Sequence, residues 1–221
     1  MISLLHAVLA ASACVVSSGA PGGAPDAGSG AATVSVAGIP DSTYRRLFDG
    51  GLTMEAFLAA AKARKEQWAT NYGRGVVADA VLSQSRSAPG PWRLLVVAVD
   101  GCSDSVNTVP YIARLVEQLM GVELRIVDNV VGRPVMDAHR TPDGRGATPT
   151  VILLDANFEE RGCWVERPAE LRDWMLEHKG KAKDSELFDH KMAWYEEDKG
   201  VKTLADIAAM FEAAGKHEPK C

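Results

Sequence analysis

From Trp92 onward the chain alternates short apolar runs with amphipathic segments, and this alternation constrains the fold more than any other feature. Apolar runs predict strands, and apolar residues at helical spacing predict helices between them. The order β-α-β-α-β-β-α predicts a parallel βαβ half, then a hairpin and a closing helix. The predicted strands are residues 94–99, 122–127, 150–154 and 162–165, and a helix at 105–120 with Pro110 inside it follows the first strand.

The sequence predicts four regions. Residues 1–38 are a signal segment and a flexible linker rich in Gly, Ala, Ser and Pro, and residues 39–89 are an N-terminal helical extension. Residues 90–180 form the α/β core, and residues 181–216 form C-terminal helices. Within the extension, Thr53 is expected to cap one helix that continues as far as Tyr72.

The N-terminus predicts export. Residues 2–16 are apolar without a formal side-chain charge, and Ala11-Ser12-Ala13 resembles a signal cleavage site. Cys14 follows directly, as in a bacterial lipoprotein, so the sequence predicts membrane attachment only through a lipid anchor on Cys14. The expected location is the periplasm or cell envelope. The alternative is a non-signal extension on a cytoplasmic protein.

Charge and cysteine spacing exclude several classes of function. The net charge of −5, without a basic stripe, argues against a nucleic-acid partner. The four cysteines show neither a CxxC motif nor zinc spacing, and they do not suggest a disulfide framework. The five histidines are scattered, so no metal site is predicted.

Two segments carry a resemblance to a known family. Residues 101–110, with Cys102 between a predicted strand and a helix, resemble the W-C-G-D-C-x-x-x-x-P active-site run of bacterial thioredoxin-family proteins. Residues 145–150 resemble the family's segment around its cis-proline. The resemblance extends over about residues 40–215 and is firmest at 90–180. It implies an α/β thioredoxin-like fold, a four-stranded mixed sheet with flanking helices, here with extra N- and C-terminal helices.

The resemblance also implies the roles of the site residues. Cys102 would be the nucleophile in thiol-disulfide exchange, because backbone N–H groups at a helix start favour a thiolate. Ser103, Asp104 and Ser105 would support the active-site loop, and a cis Thr148–Pro149 edge would hold the substrate. No bound cofactor is implied. The partner would be a protein disulfide or a low-molecular-weight thiol such as glutathione.

Departures from the family pattern make the site monothiol. Ser105 stands where the resolving cysteine is expected, Gly101 replaces the tryptophan before the first cysteine, and Ser103 replaces the glycine after it. Val96 lies about where the family keeps a buried acid that assists the resolving thiol. Asp100 and Asp104 are expected to oppose a thiolate, since a nearby carboxylate disfavours it.

Other interpretations stay open. The thioredoxin-like fold could serve as a non-catalytic binding module, or as the scaffold of a lipid-anchored envelope protein, since fold does not fix function. Cys102 could be inert, and Asp104 could simply complement the helix dipole. Cys163 is expected to be a buried core cysteine rather than a resolving partner. Cys221 is expected to be a mobile, accidental thiol, or one that reaches another chain.

Overall fold

The structure, a computed structural model, describes residues 38–218 and residue 221. The predicted signal segment, its linker up to residue 37 and Cys14 lie outside these residues. A four-stranded mixed sheet has the order β2-β1-β3-β4, with β1 and β2 parallel and the other neighbours antiparallel. Its strands are β1 (Trp92–Val97), β2 (Val122–Val127), β3 (Thr150–Leu154) and β4 (Glu160–Val165).

Helices flank the sheet and extend the chain at both ends. With the mixed sheet they form a thioredoxin-like α/β fold with extra helices. From residue 38 onward, four helices precede β1, and two follow the helix that closes the core. The helices are α1 (Asp41–Asp49), α2 (Met54–Ala60), α3 (Lys65–Arg74), α4 (Asp79–Arg86), α5 (Ser103–Val116), α6 (Arg133–Ala138), α7 (Ala169–His178), α8 (Asp184–Asp198) and α9 (Val201–Gly215).

The central strand β1 separates two apolar clusters. Leu94 and Val96 belong to the cluster that includes residues of α5 and α9, whereas Leu95 and Val97 belong to the cluster that includes α1. These four side chains are fully buried. Successive side chains of a strand point to opposite faces, and here both faces are covered, which explains the uninterrupted apolar run.

The helix predicted from Thr53 to Tyr72 is in fact two helices, and that prediction is wrong. Thr53 does cap α2, since its hydroxyl accepts a hydrogen bond from the Ala56 N–H. Beyond α2, however, the N–H groups of Lys62 and Ala63 donate to Asp100 Oδ2 at 2.8 and 2.9 Å. Because these two N–H groups bind the Asp100 carboxylate, they do not donate to carbonyls one turn earlier, and the helix does not continue. A separate helix, α3, begins after Ala63.

The two helices at the C-terminus complete the core. Leu204, Ile207 and Phe211 of α9 lie in the same apolar cluster as Leu82 of α4 and Val109 of α5. α9 also packs against β4. The C-terminal helices are therefore part of the packed domain. Among the residues that the structure describes, no helix is both long and apolar enough to span a membrane.

Candidate functional site

Cys102 lies where β1 gives way to α5, and it caps that helix. Its Sγ accepts a hydrogen bond from the Ser105 N–H at 3.4 Å and lies 3.2 Å from the Thr148 carbonyl oxygen. The residue is only 3% exposed. Its sulfur is disulfide-bonded, and the partner lies outside the described residues. When Cys102 is reduced, the free N–H groups at the start of α5 favour its thiolate form.

The loop before Cys102 is held by the N-terminal helices. Trp68 of α3 donates its indole N–H to the Asp100 carbonyl at 2.9 Å, and Arg64 Nε donates to the Gly101 carbonyl at 3.0 Å. The Asp100 carboxylate in turn accepts the N–H groups of Lys62 and Ala63. The helical extension therefore fixes the backbone that presents the thiol.

The Asp100 carboxylate is kept ionised by these contacts. Burial raises the pKa of Asp100, but hydrogen bonds from the backbone N–H groups of Ala63, Lys62 and Gly101 outweigh burial and hold the pKa below its usual value. Its negative charge is directed at backbone donors of the extension rather than left uncompensated beside Cys102.

Asp104 is a buried ionic centre. It is 1% exposed, and its carboxylate accepts hydrogen bonds from Lys191 Nζ at 3.0 Å, the Tyr195 hydroxyl at 2.8 Å and Arg167 Nη2 at 3.3 Å. Lys191 Nζ also donates to the Ser103 hydroxyl at 2.9 Å. Asp104 does lie in the first turn of α5, as its interpretation as a complement of the helix dipole requires. It is also buried against two cations, Lys191 of α8 and Arg167, which precedes α7.

The two cations decide the charge state of Asp104. Burial raises the pKa of its carboxyl group, but the charges of Arg167 and Lys191 outweigh burial, and the net pKa lies below its usual value. Burial, followed by the charge of Asp104, raises the pKa of Tyr195 well above its usual value, so its phenol stays protonated as a donor. With two cations on one carboxylate, Asp104 does not oppose a thiolate at Cys102 as strongly as the sequence alone suggested.

Ser105, where the sequence pattern expects a resolving thiol, lies in the first turn of α5. Its side chain is fully buried, and its hydroxyl has no hydrogen-bond partner among the described residues. Val96 is fully buried as well, within the apolar cluster that includes α5. Neither residue supplies a thiol or an acid at neutral pH, which is consistent with a monothiol centre.

The Thr148–Pro149 segment lies against the Cys102 loop. The peptide bond between these residues is cis, and the Thr148 carbonyl is the one that approaches Cys102 Sγ. The Pro149 carbonyl accepts the Glu166 N–H at 2.7 Å, and Arg145 forms an ion pair with the Glu166 carboxylate at 3.2 Å. The segment is thus anchored to the residues that follow β4.

The structure brings all the predicted site residues into one region and adds several that sequence reasoning missed. The sequence predicts no role in the site for Arg167, Lys191 or Tyr195, although Tyr195 falls on the apolar stripe of a helix predicted at residues 185–198. The apolar stripe is the one signal in the sequence that marks Tyr195 as buried. Even Arg167, the nearest of these residues to Asp104 in the chain, is 63 positions away from it.

A second cluster corrects two cysteine assignments. Cys163 and Cys221, expected to be an unpaired core residue and an accidental or intermolecular thiol, form a disulfide with their Cα atoms 4.6 Å apart. The cysteine spacing suggested no disulfide framework, and this disulfide shows that expectation to be wrong for Cys163 and Cys221. The packing of α9 on β4 explains the pairing, because it returns the chain towards Cys163.

His139 and Glu160 lie beside this disulfide. His139 Nε2 is 2.8 Å from Glu160 Oε1, and its Nδ1 is 2.9 Å from the Val135 carbonyl. Burial lowers the pKa of His139. The hydrogen bond to Glu160 and the charge of Glu160 together outweigh burial, so the net pKa of His139 lies above its usual value. Burial raises the pKa of Glu160, but the hydrogen bonds to His139 and Tyr44 outweigh it and lower the net pKa.

Comparisons with known proteins agree with this architecture. A mixed sheet with a cysteine at the start of α5 and a facing proline segment defines a protein of the thioredoxin-like class. A family model described as Thioredoxin matches residues 51–186, and the chain belongs to the thioredoxin family.

Two solved structures share the fold. One is a protein of unknown function from Pseudomonas aeruginosa, 22% identical, with a TM-score of 0.61 over 77% of this chain and 98% of that chain. The other is an HIV epitope-scaffold with the same identity, TM-score and coverage. At this identity the likeness concerns the fold alone. No curated protein matches the chain.

Proposed function

We propose that the protein carries out thiol-disulfide exchange as a monothiol through Cys102. The observation that carries the proposal is the position of Cys102 Sγ, 3.4 Å from the Ser105 N–H and 3.2 Å from the Thr148 carbonyl. The first contact supports a thiolate, and the second lies at the backbone edge where an extended substrate chain would pair.

The exchange takes two steps. The reduced Cys102 thiolate attacks one sulfur of a target disulfide, forms a mixed disulfide and releases the other sulfur as a thiolate. A low-molecular-weight thiolate such as glutathione then attacks the mixed disulfide and returns Cys102 as a thiolate. Ser105 cannot perform this second step, because an alcohol is a far poorer nucleophile at neutral pH. The external thiol is therefore part of the cycle.

The surrounding residues have positioning roles in this proposal. Arg167 and Lys191 neutralise Asp104, so its carboxylate does not repel the thiolate. Trp68 and Arg64 hold the loop that precedes Cys102. Thr148 and Pro149 offer the edge that binds the substrate.

Burial of the thiol favours a second candidate, a non-catalytic binding module. Cys102 is 3% exposed, which restricts the approach of a folded substrate. In that case the Thr148–Pro149 edge would bind a partner and Cys102 would be a structural cysteine.

The pH dependence of Cys102 alkylation distinguishes the two candidates. Cys14→Ser, with the Cys163–Cys221 disulfide left oxidised, makes Cys102 the single thiol of the full-length chain. Monothiol exchange predicts half-maximal alkylation by iodoacetamide at a pH well below ~8.5, the value of an unperturbed cysteine. The same protein unfolded in urea is the reference. A folded value at or above that reference contradicts the catalytic proposal and favours the binding module.

A further inference from the structure

Four side chains with metal-binding atoms meet on one side of β4. His139 follows α6, Glu160 and Cys163 belong to β4, and Cys221 is the residue to which Cys163 is bonded. One ligand atom from each of the four lies within 4.8 Å of the others. The four residues are not spaced along the sequence as zinc ligands usually are. The packing of the fold brings them together.

We propose that reduction of the Cys163–Cys221 disulfide turns this cluster into a zinc site, with His139, Glu160, Cys163 and Cys221 as ligands. Zinc binds thiolate, imidazole and carboxylate in tetrahedral sites, with bonds of about 2.0–2.3 Å that separate neighbouring ligand atoms by about 3.3–3.8 Å. The four ligand atoms lie within 4.8 Å of one another. Side-chain shifts, including separation of the two sulfurs once their bond is broken, would complete the shell.

The orientation of His139 suits a metal ligand. Its Nδ1–H donates to the Val135 carbonyl at 2.9 Å, and its Nε2 lies 2.8 Å from Glu160 Oε1, on the side of the cluster. Loss of the Nε2 proton frees that nitrogen's lone pair for the ion. Metal-ligating histidines characteristically donate their other ring N–H to a carbonyl or carboxylate. The Tyr44 hydroxyl holds the second oxygen of Glu160. Both non-sulfur ligands are thus positioned by neighbours that do not themselves bind the ion.

Binding depends on the redox state of the two cysteines. A dithiol reductant transfers two electrons and two protons to the Cys163–Cys221 bond, which becomes two thiols while the reductant forms its own cyclic disulfide. Zinc then displaces one proton from each thiol and the proton on His139 Nε2, which pass to solvent, and it bonds to the two thiolates, the imidazole and the carboxylate. In the oxidised protein Cys163 and Cys221 have no thiolate, so the site lacks two of its four ligands and does not bind zinc.

The cluster has access to solvent and a cationic surrounding. His139, Cys163 and Cys221 line a cavity of about 520 Å³, and Arg140 and Arg172 line the same cavity. Two thiolates, one carboxylate and Zn²⁺ leave a single negative charge, which these arginines partly offset. Cys102 does not contribute to the cluster, so the proposal is independent of the exchange chemistry.

Zinc titration of the full-length chain tests the proposal. The variant Cys14→Ser/Cys102→Ser retains only the two cysteines of the cluster. It is reduced with dithiothreitol, desalted without air and titrated with Zn²⁺ against a chromophoric chelator. We expect about one equivalent bound by the reduced protein and less than about a tenth of that by the oxidised protein. Co²⁺ should show thiolate charge-transfer absorption in the reduced protein alone.

Matched variants identify the ligands. Cys163→Ser or His139→Gln should abolish or strongly weaken binding, and Tyr44→Phe should weaken it about 10-fold or more through the Glu160 orientation. His178→Gln is the control, since its ring stacks on Trp174 outside the cluster. Failure of the reduced Cys14→Ser/Cys102→Ser protein to bind zinc overturns the proposal, and this result needs no change to a ligand residue. Binding that persists in Cys163→Ser, or in the oxidised protein, also overturns it.

Discussion

Lys191 of α8 contacts Asp104 of α5, with its Nζ 3.0 Å from the Asp104 Oδ2. The two side chains are 10% and 1% exposed. Through this pair a helix that the sequence placed outside the core reaches the first turn of the helix that Cys102 caps. The C-terminal helices are therefore part of the candidate site, and Asp104 holds them there.

Asp104→Asn should be strongly destabilising. It leaves the Arg167 and Lys191 cations buried without their carboxylate, and breaking a buried pair in this way costs about 3–5 kcal/mol. Urea unfolding at pH 7 measures the loss. Asp173→Asn is the matched control: its carboxylate is 68% exposed and pairs with Arg172, so the change should cost about 0–1 kcal/mol. Equal losses in the two variants would contradict the account of Asp104.

The stabilisation from Asp104 should disappear in acid. Its folded pKa lies below the usual value of 3.8, so its contribution is fully present above that pH and is lost as the pH falls through the folded pKa. The difference in free energy of unfolding between wild type and Asp104→Asn should be constant at neutral pH and shrink below about pH 3.8. Urea unfolding across the acid range checks this, and a difference that widens in acid would have the wrong sign.

Ser105→Cys should convert the monothiol centre into a dithiol. The introduced sulfur is three residues from Cys102 in the first turn of α5, so an intramolecular disulfide can form. Insulin reduction with dithiothreitol should be weak in wild type and rise in the variant, although Val96 supplies no acid to assist the new thiol. Ser85→Cys, on α4, is the control for an added buried cysteine. An increase of the same size in that control would remove the special role of position 105.

Trp68→Phe should weaken the support of the Cys102 loop. The variant keeps an aromatic ring but leaves the Asp100 carbonyl without the indole N–H, and an unsatisfied buried polar group costs about 1–3 kcal/mol. Thermal or urea unfolding measures the change. Trp174→Phe is the comparison, because that ring stacks on His178 and His190 instead of supporting the loop. A smaller loss in Trp68→Phe than in Trp174→Phe would argue against this support.

Local patterns predicted the core well. The predicted strands at 122–127 and 150–154 match β2 and β3. The first alternates apolar and charged residues after Gly121, and the second is an almost continuous apolar run after Pro149. The apolar periodicity predicts C-terminal helices at residues 185–198 and 203–214, which agree with α8 and α9 within two residues at each end. Apolar periodicity is sufficient in these cases because burial alone determines the element.

Long-range contacts set the features that the sequence did not reveal. Asp100 interrupts the helix expected between Thr53 and Tyr72 from 38 positions away. Lys191 joins Asp104 across 87 positions, and the Cys163–Cys221 disulfide closes a separation of 58. Neither apolar periodicity nor motif spacing predicts these long-range pairs, because the pairs depend on how α8 and α9 pack against the rest of the fold.

Trapping of a mixed disulfide at Cys102 tests the central proposal most directly. The reduced Cys14→Ser protein is exposed to an excess of oxidised glutathione, and intact mass and peptide mapping locate the adduct. Monothiol exchange predicts a glutathione adduct on Cys102 that persists until an external thiol is added. The adduct should be absent at position 102 in Cys102→Ser and retained in Cys163→Ser. A Cys102 that stays unmodified in the Cys14→Ser protein, or an adduct that forms only through Cys163, would contradict the proposal.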